Sequence, residues 1–140
     1  MKLNFKTFGE GKPLLILHGL FGSLDNWQTL GKQLAENHKV YLVDLRNHGK
    51  SPHSINFSYE EMAKDVAELI AAEQLEKVSI LGHSMGGKTA MTFAVEFPQL
   101  LEKLIIVDIA PKKYAPHHDE IIKALYSLNL STLSSRREAD

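Results

Sequence analysis

Gly82-His83-Ser84-Met85-Gly86 is the stretch of this chain with the clearest chemical use. A serine with glycine two positions to either side suits a tight strand-to-helix turn, because the glycines let strand and helix approach without a Cβ clash. The hydroxyl is then exposed at a helix N-terminus, where backbone N–H groups face developing negative charge. The implied chemistry is attack by the Ser84 hydroxyl on a carbonyl carbon. By composition alone Gly-x-Ser-x-Gly arises in about one chain in twenty of this size, taking each residue at about 7%. The apolar run Val78 to Leu81 before it, and the helix-spaced Ala90, Phe93, Ala94 and Phe97 after it, make accident much less credible. A phosphate-binding glycine turn is the competing use, and Gly-x-Gly-x-x-Gly is absent. A second glycine loop, Leu17-His18-Gly19-Leu20-Phe21-Gly22, stands where another oxyanion donor is expected. The N–H of Leu20 would act there with that of Met85. His18 as a hydrogen-bonded strut is compatible with that role.

Four short apolar runs must carry these loops: Leu14 to Leu17, Val40 to Leu45, Val78 to Leu81 and Leu104 to Ile109. Each is apolar on both alternating faces, as in a sheet covered on both sides. Between them lie helix-period stripes at Trp27, Leu30 and Leu34 and at Met62, Val66, Leu69 and Ile70. Ser58 and Glu61 form a capping box at the start of the second, and Pro98 stops the helix that carries Phe93. Strands alternating with helices predict an α/β fold, a mainly parallel sheet with helices on both faces. Leu3 to Phe8 reads as an antiparallel edge strand. After Asp108 come a Pro-containing turn and an amphipathic helix over Asp119 to Leu130. Ser135 and Glu138 form another capping box two residues from Asp140, which leads us to expect a fold cut short.

Composition removes several classes. The 140 residues carry 16 Lys+Arg against 17 Asp+Glu, 44% hydrophobic residues and no cysteine. No disulfide framework, thiolate metal site or thiol nucleophile is therefore available. With a net charge of −1 and no basic run, no nucleic-acid surface is expected. The apolar runs fall far short of the roughly 20 residues that span a membrane. The first residues show no signal-peptide pattern, so a cytoplasmic protein is expected. No cluster of His, Asp and Glu has a trustworthy ligand spacing, so neither metal nor cofactor is expected.

His18 to Ser23, Asp44 to Ser51, Gly82 to Lys88 and Val107 to Pro111 together resemble the α/β-hydrolase superfamily, and more narrowly its YbfF-type bacterial esterases and their mitochondrial relatives. The resemblance runs from Leu14 to Asp140. It implies a Ser-His-Asp hydrolase that acts through an acyl-enzyme on a small-molecule carboxylic ester or acyl thioester, including acyl-CoA. Ser84 would be the nucleophile, Leu20 and Met85 the oxyanion donors, and Phe21 part of the acyl pocket. Asp108 is either the triad acid or a cap of the turn before Pro111. In this family the histidine comes near the C-terminus, and no histidine here occupies that place. His117 and His118 are the substitutes to consider. Residues 1–111 are expected to be the N-terminal part of the hydrolase core, and residues 112–140 the start of a helical cap. On this expectation the 140 residues alone are inactive or nearly so. The alternatives are a non-catalytic fragment that self-associates or assembles with a complementary chain, and a C–C hydrolase or lyase on the same fold. A serine at position 84 argues against the epoxide hydrolases and haloalkane dehalogenases, which use aspartate there.

Overall fold

The computed structural model describes residues 1–114 and 119–127. Five strands, β1 (Phe5–Phe8), β2 (Pro13–Leu17), β3 (Lys39–Val43), β4 (Val78–His83) and β5 (Leu101–Val107), form one sheet in the order β1-β3-β2-β4-β5. β1 is antiparallel to β3, and the other pairings are parallel. The helices are α1 (Gln28–Leu34), α2 (Tyr59–Ala72), α3 (Met85–Glu96) and α4 (Asp119–Ser127).

Alternation along the central strands divides the core into two layers. Leu15, Leu17, Tyr41, Val43 and Ile80 pack with Met62, Val66, Leu69 and Ile70 of α2 and with Ala90 and Phe93 of α3. Leu14, Ile16, Val40, Leu42 and Leu81 pack on the other face with Leu24, Trp27 and Leu34. The α2 stripe is therefore a core face, and each of its fully buried aliphatic side chains contributes about 1.5–3 kcal/mol. Of the first stripe, Trp27 and Leu34 pack on the core while Leu30 stays exposed in a groove. The N-terminal part of the first stripe is a 3₁₀ turn, Leu24–Trp27, capped by Ser23 and Asn26, before α1 begins.

At α2 the predicted box is half made. Ser58 Oγ accepts from the Glu61 N–H at 3.2 Å. The Glu61 carboxylate accepts instead from Arg46 Nη1 and Lys64 Nζ, both at 3.2 Å. Arg46 is buried and also donates to both oxygens of buried Asp65, at 2.6 and 2.8 Å, which fastens the loop after β3 to α2.

The Asp44 to Ser51 motif is a structural knot. Buried Asp44 accepts from the Leu24 N–H (2.7 Å), the Lys50 N–H (2.9 Å) and Asn4 Nδ2 (2.8 Å). Gly49 has φ +54, and a Cβ there would overlap that carboxylate. The knot joins the start of the chain, the 3₁₀ turn and the end of β3.

β5 differs from the expected Leu104 to Ile109. It starts three residues earlier, with Leu101 opposite Val78, and the irregularity between Val78 and Ser79 accommodates Glu102. It ends at Val107, because Asp108 at φ +54 turns the chain out of the sheet. Among the described residues β5 is an edge strand, opposite β1, and Leu104 and Ile105 remain 37% and 43% exposed. The expected helix start at Ser135 and the substitute histidines His117 and His118 lie outside the described residues.

Candidate active site

Ser84 is the single residue between β4 and α3, so one residue must reverse the path from strand to helix. It does so at φ 51 and ψ −111, a conformation costing about 1–3 kcal/mol that the surroundings must hold in place. The Ser84 N–H donates to Val107 O (3.1 Å), the Lys88 N–H to Ser84 O (3.0 Å) and the Gly86 N–H to His18 O (3.1 Å). A Cβ at Gly82 would overlap the Gly86 carbonyl, and one at Gly86 the carbonyls of Leu17 and His18. The two glycines are therefore required by close backbone approach on both sides of the elbow.

Residues 82–89 also spell Gly-x-x-x-x-Gly-Lys-Thr, the pattern of a phosphate-cradling loop. The structure gives that pattern a different use. No loop of several residues separates β4 from α3, so there is no cradle. Thr89 is fully buried and its hydroxyl donates to Met85 O at 3.1 Å, while Lys88 Nζ donates to the carbonyls of Ala110 and Lys112.

The His18 loop is fixed by its histidine. Buried His18 pairs Nδ1 with Gly19 O at 2.8 Å and accepts the Leu45 N–H on Nε2 at 3.1 Å, which is the neutral tautomer with hydrogen on Nδ1. Burial holds its pKa below the ordinary 6.5. This strut carries Leu20 to the elbow: Leu20, Ser84 and Met85 line one cavity of about 710 Å³, together with Asp108. Among the described residues neither the Leu20 nor the Met85 N–H has a hydrogen-bond partner. Phe57, Tyr59 and Tyr114 line the same cavity. Phe21 does not line it. At φ 62 it stands in a neighbouring groove of about 560 Å³ with Trp27, Leu30 and His83, which meets the first cavity at Leu20.

Asp108 follows β5 directly, with its side chain 86% exposed and Oδ2 3.8 Å from His83 Nε2. Thus Ser84, Met85, Leu20 and Asp108 are brought together, and Phe21 is set apart. His83 and Lys88 were not singled out from the sequence, because their partners on the turn after β5 are more than twenty residues away. Among the described residues no group of three His, Cys, Asp or Glu could hold a metal ion. No described helix is long and apolar enough to cross a membrane.

The α/β-hydrolase fold family matches residues 12–136. This chain belongs to that family. Among relatives of this α/β hydrolase, esterase YbfF of Escherichia coli is 38% identical over 99% of the chain, which spans 57% of that relative. An sn-1-specific diacylglycerol lipase, ABHD11 of Danio rerio, is 45% identical over 81% of the chain and 36% of its own length. A solved marine microorganism esterase superposes with a TM-score of 0.94 at 49% identity, over 99% of this α/β hydrolase and 56% of the esterase. The chain thus spans between about a third and three-fifths of these proteins.

Proposed function

We propose that this chain carries the nucleophile and oxyanion hole of a serine hydrolase that cleaves carboxylic esters of small molecules. The observation that carries the reading is Ser84 on its strained elbow, opening into a cavity shared with the unpaired N–H groups of Leu20 and Met85. Ser84 Oγ attacks the carbonyl carbon and its proton passes to a base. The carbonyl oxygen takes up negative charge and accepts from the two N–H groups, where one such donor accounts for about 10²–10³ in kcat. Collapse expels the alcohol with that proton and leaves an acyl group on Ser84, which water then removes. The same steps apply to an acyl thioester, including acyl-CoA, with a thiol as the leaving group.

No imidazole among the described residues is paired with Ser84, so the base is a histidine from outside them, oriented by Asp108. Without it the oxyanion hole and binding alone would leave about 10³–10⁴-fold catalysis over water. The names of the relatives, two esterases and a lipase, support ester substrates. A fluorophosphonate probe is expected to mark Ser84 when the segment or chain that brings this histidine is present, and not Ser84→Ala; residues 1–140 by themselves are expected to take little or no label. Label that survives the substitution, or no label with that histidine present, overturns the reading. The exposed residues of edge strand β5 favour a second feature, association with a chain or segment that completes the sheet. A monodisperse monomer of residues 1–140 in light scattering would contradict it.

A further inference from the structure

Asp108 leaves β5 at φ +54, and the residues after it, up to Tyr114, form neither helix nor strand. Their path is nevertheless tied to the first turn of α3. Lys88 Nζ donates to Ala110 O at 2.9 Å and to Lys112 O at 2.5 Å. Two of its three donors are thereby committed to backbone carbonyls that lie two and four residues beyond Asp108. The turn closes on itself around this ammonium: the Lys112 N–H donates to Ala110 O at 2.8 Å, and the Ala110 N–H to the Tyr114 hydroxyl at 3.0 Å. The Tyr114 ring faces both the Lys88 and the Lys112 ammonium at 5.2 Å, an arrangement favoured by cation–π attraction. Ile109 packs against the bare Cα of Gly87, where a Cβ would meet Ile109 Cγ2 at 2.5 Å. By contrast, among the described residues the Asp108 carboxylate has only the 3.8 Å approach to His83.

We infer that Lys88 is a positioning residue: its ammonium holds the turn after β5 so that Asp108 stays at the rim of the Ser84 cavity. The inference rests on the reading of Asp108 as the acid of the hydrolase. It also gives the lysine of the Gly-x-x-x-x-Gly-Lys-Thr pattern a use in place of phosphate binding. Lys88 lines the cavity, so a direct contact with substrate is the rival role. The two roles separate kinetically, since lost positioning lowers kcat and lost substrate contact raises KM.

The test compares wild type, Lys88→Met, Lys88→Gln, Lys88→Arg, Asp108→Asn and the Lys88→Met/Asp108→Asn pair in hydrolysis of p-nitrophenyl acetate, each in the protein that includes the segment or chain bringing the base histidine. Lys88→Met and Lys88→Gln are expected to lower kcat about 10- to 100-fold, the scale of a displaced catalytic group. KM stays within about threefold, and Lys88→Arg recovers most of the loss. The pair is expected to be no slower than Asp108→Asn alone, because one residue acts through the other. Amide hydrogen exchange at Ala110 and Lys112 should quicken by about tenfold or more in Lys88→Met, with β4 unchanged. Unchanged exchange, additive losses in the pair, or a raised KM with intact kcat would each overturn the inference. Full activity in Asp108→Asn would remove the acid and this inference with it, while labelling of Ser84 judges the nucleophile separately.

Discussion

His83 Nε2 lies 3.8 Å from Asp108 Oδ2, so the residue before Ser84 faces the residue that follows β5. The approach is too long for a good hydrogen bond. It leaves the carboxylate able to accept from another imidazole at the rim of the Ser84 cavity.

Asp108→Asn tests that availability. Where an aspartate orients the base of a serine hydrolase, the same change lowers kcat by about 10⁴. A loss of that order is expected here, with the melting temperature almost unchanged because the side chain is exposed. Circular dichroism melts run beside the rate measurement check both halves, and a loss of activity caused by unfolding would contradict it.

Substitution at the elbow glycines should act on stability first. Gly86→Ala places a methyl group against the carbonyls of Leu17 and His18, which are backbone and cannot swing aside. A cost of about 3 kcal/mol or more is expected, at or beyond the upper range for overpacking. Urea unfolding measures it, and a midpoint equal to wild type would refute the close approach.

Asp44 is expected to matter for folding and not for chemistry. Asp44→Ala strands the N–H groups of Leu24 and Lys50 and the amide of Asn4. The Leu24 bond is buried and the other two are part-buried, so at about 1–3 kcal/mol for the buried donor and less for the others a total of about 2–3 kcal/mol follows. Chemical denaturation reads the loss, and any folded fraction of the variant should still react at Ser84.

His18 sets the direction of a pH dependence. Burial lowers its folded pKa below the unfolded value of 6.5, so the unfolded chain binds the extra proton first. Its contribution is complete above pH 6.5 and is lost as the pH falls from there through the folded pKa. Protonation also ends acceptance of the Leu45 N–H by Nε2. Wild type should therefore lose more unfolding free energy than His18→Gln between pH 7.5 and pH 5. Equal losses would show that His18 is not the neutral strut.

The elbow was legible in the sequence because its cause is local: the glycines at 82 and 86 are dictated by atoms within a few residues or on the adjoining strand. The central strands were legible for the same reason, since period and burial coincide in Leu14 to Leu17. Three features were not, two because they depend on distant partners and one because backbone conformation decides it. The start of β5 is concealed by Glu102 and Lys103, whose charge suits an outer strand where Glu102 meets Lys12 at 2.9 Å. The place of Phe21 follows from φ 62 and from the Gly22 N–H bond to Gly19 O, neither visible in residue type. The use of Asp44 and Lys88 depends on donors and carbonyls roughly twenty positions away or more.

Ser84 is referenced to three neighbouring strands at once, through its place at the end of β4, its N–H on Val107 O of β5, and the Gly86 N–H on the carbonyl of His18 just after β2. Phe57 and Tyr59, by contrast, come from the connecting segment before α2 and from its first position. The cavity thus has a surveyed floor and an independent roof. On the proposed role of Ser84, exchange of roof residues would retune which acyl or alcohol groups are admitted while the Ser84 oxygen keeps its coordinates, so selection could alter substrate choice without first risking the chemistry.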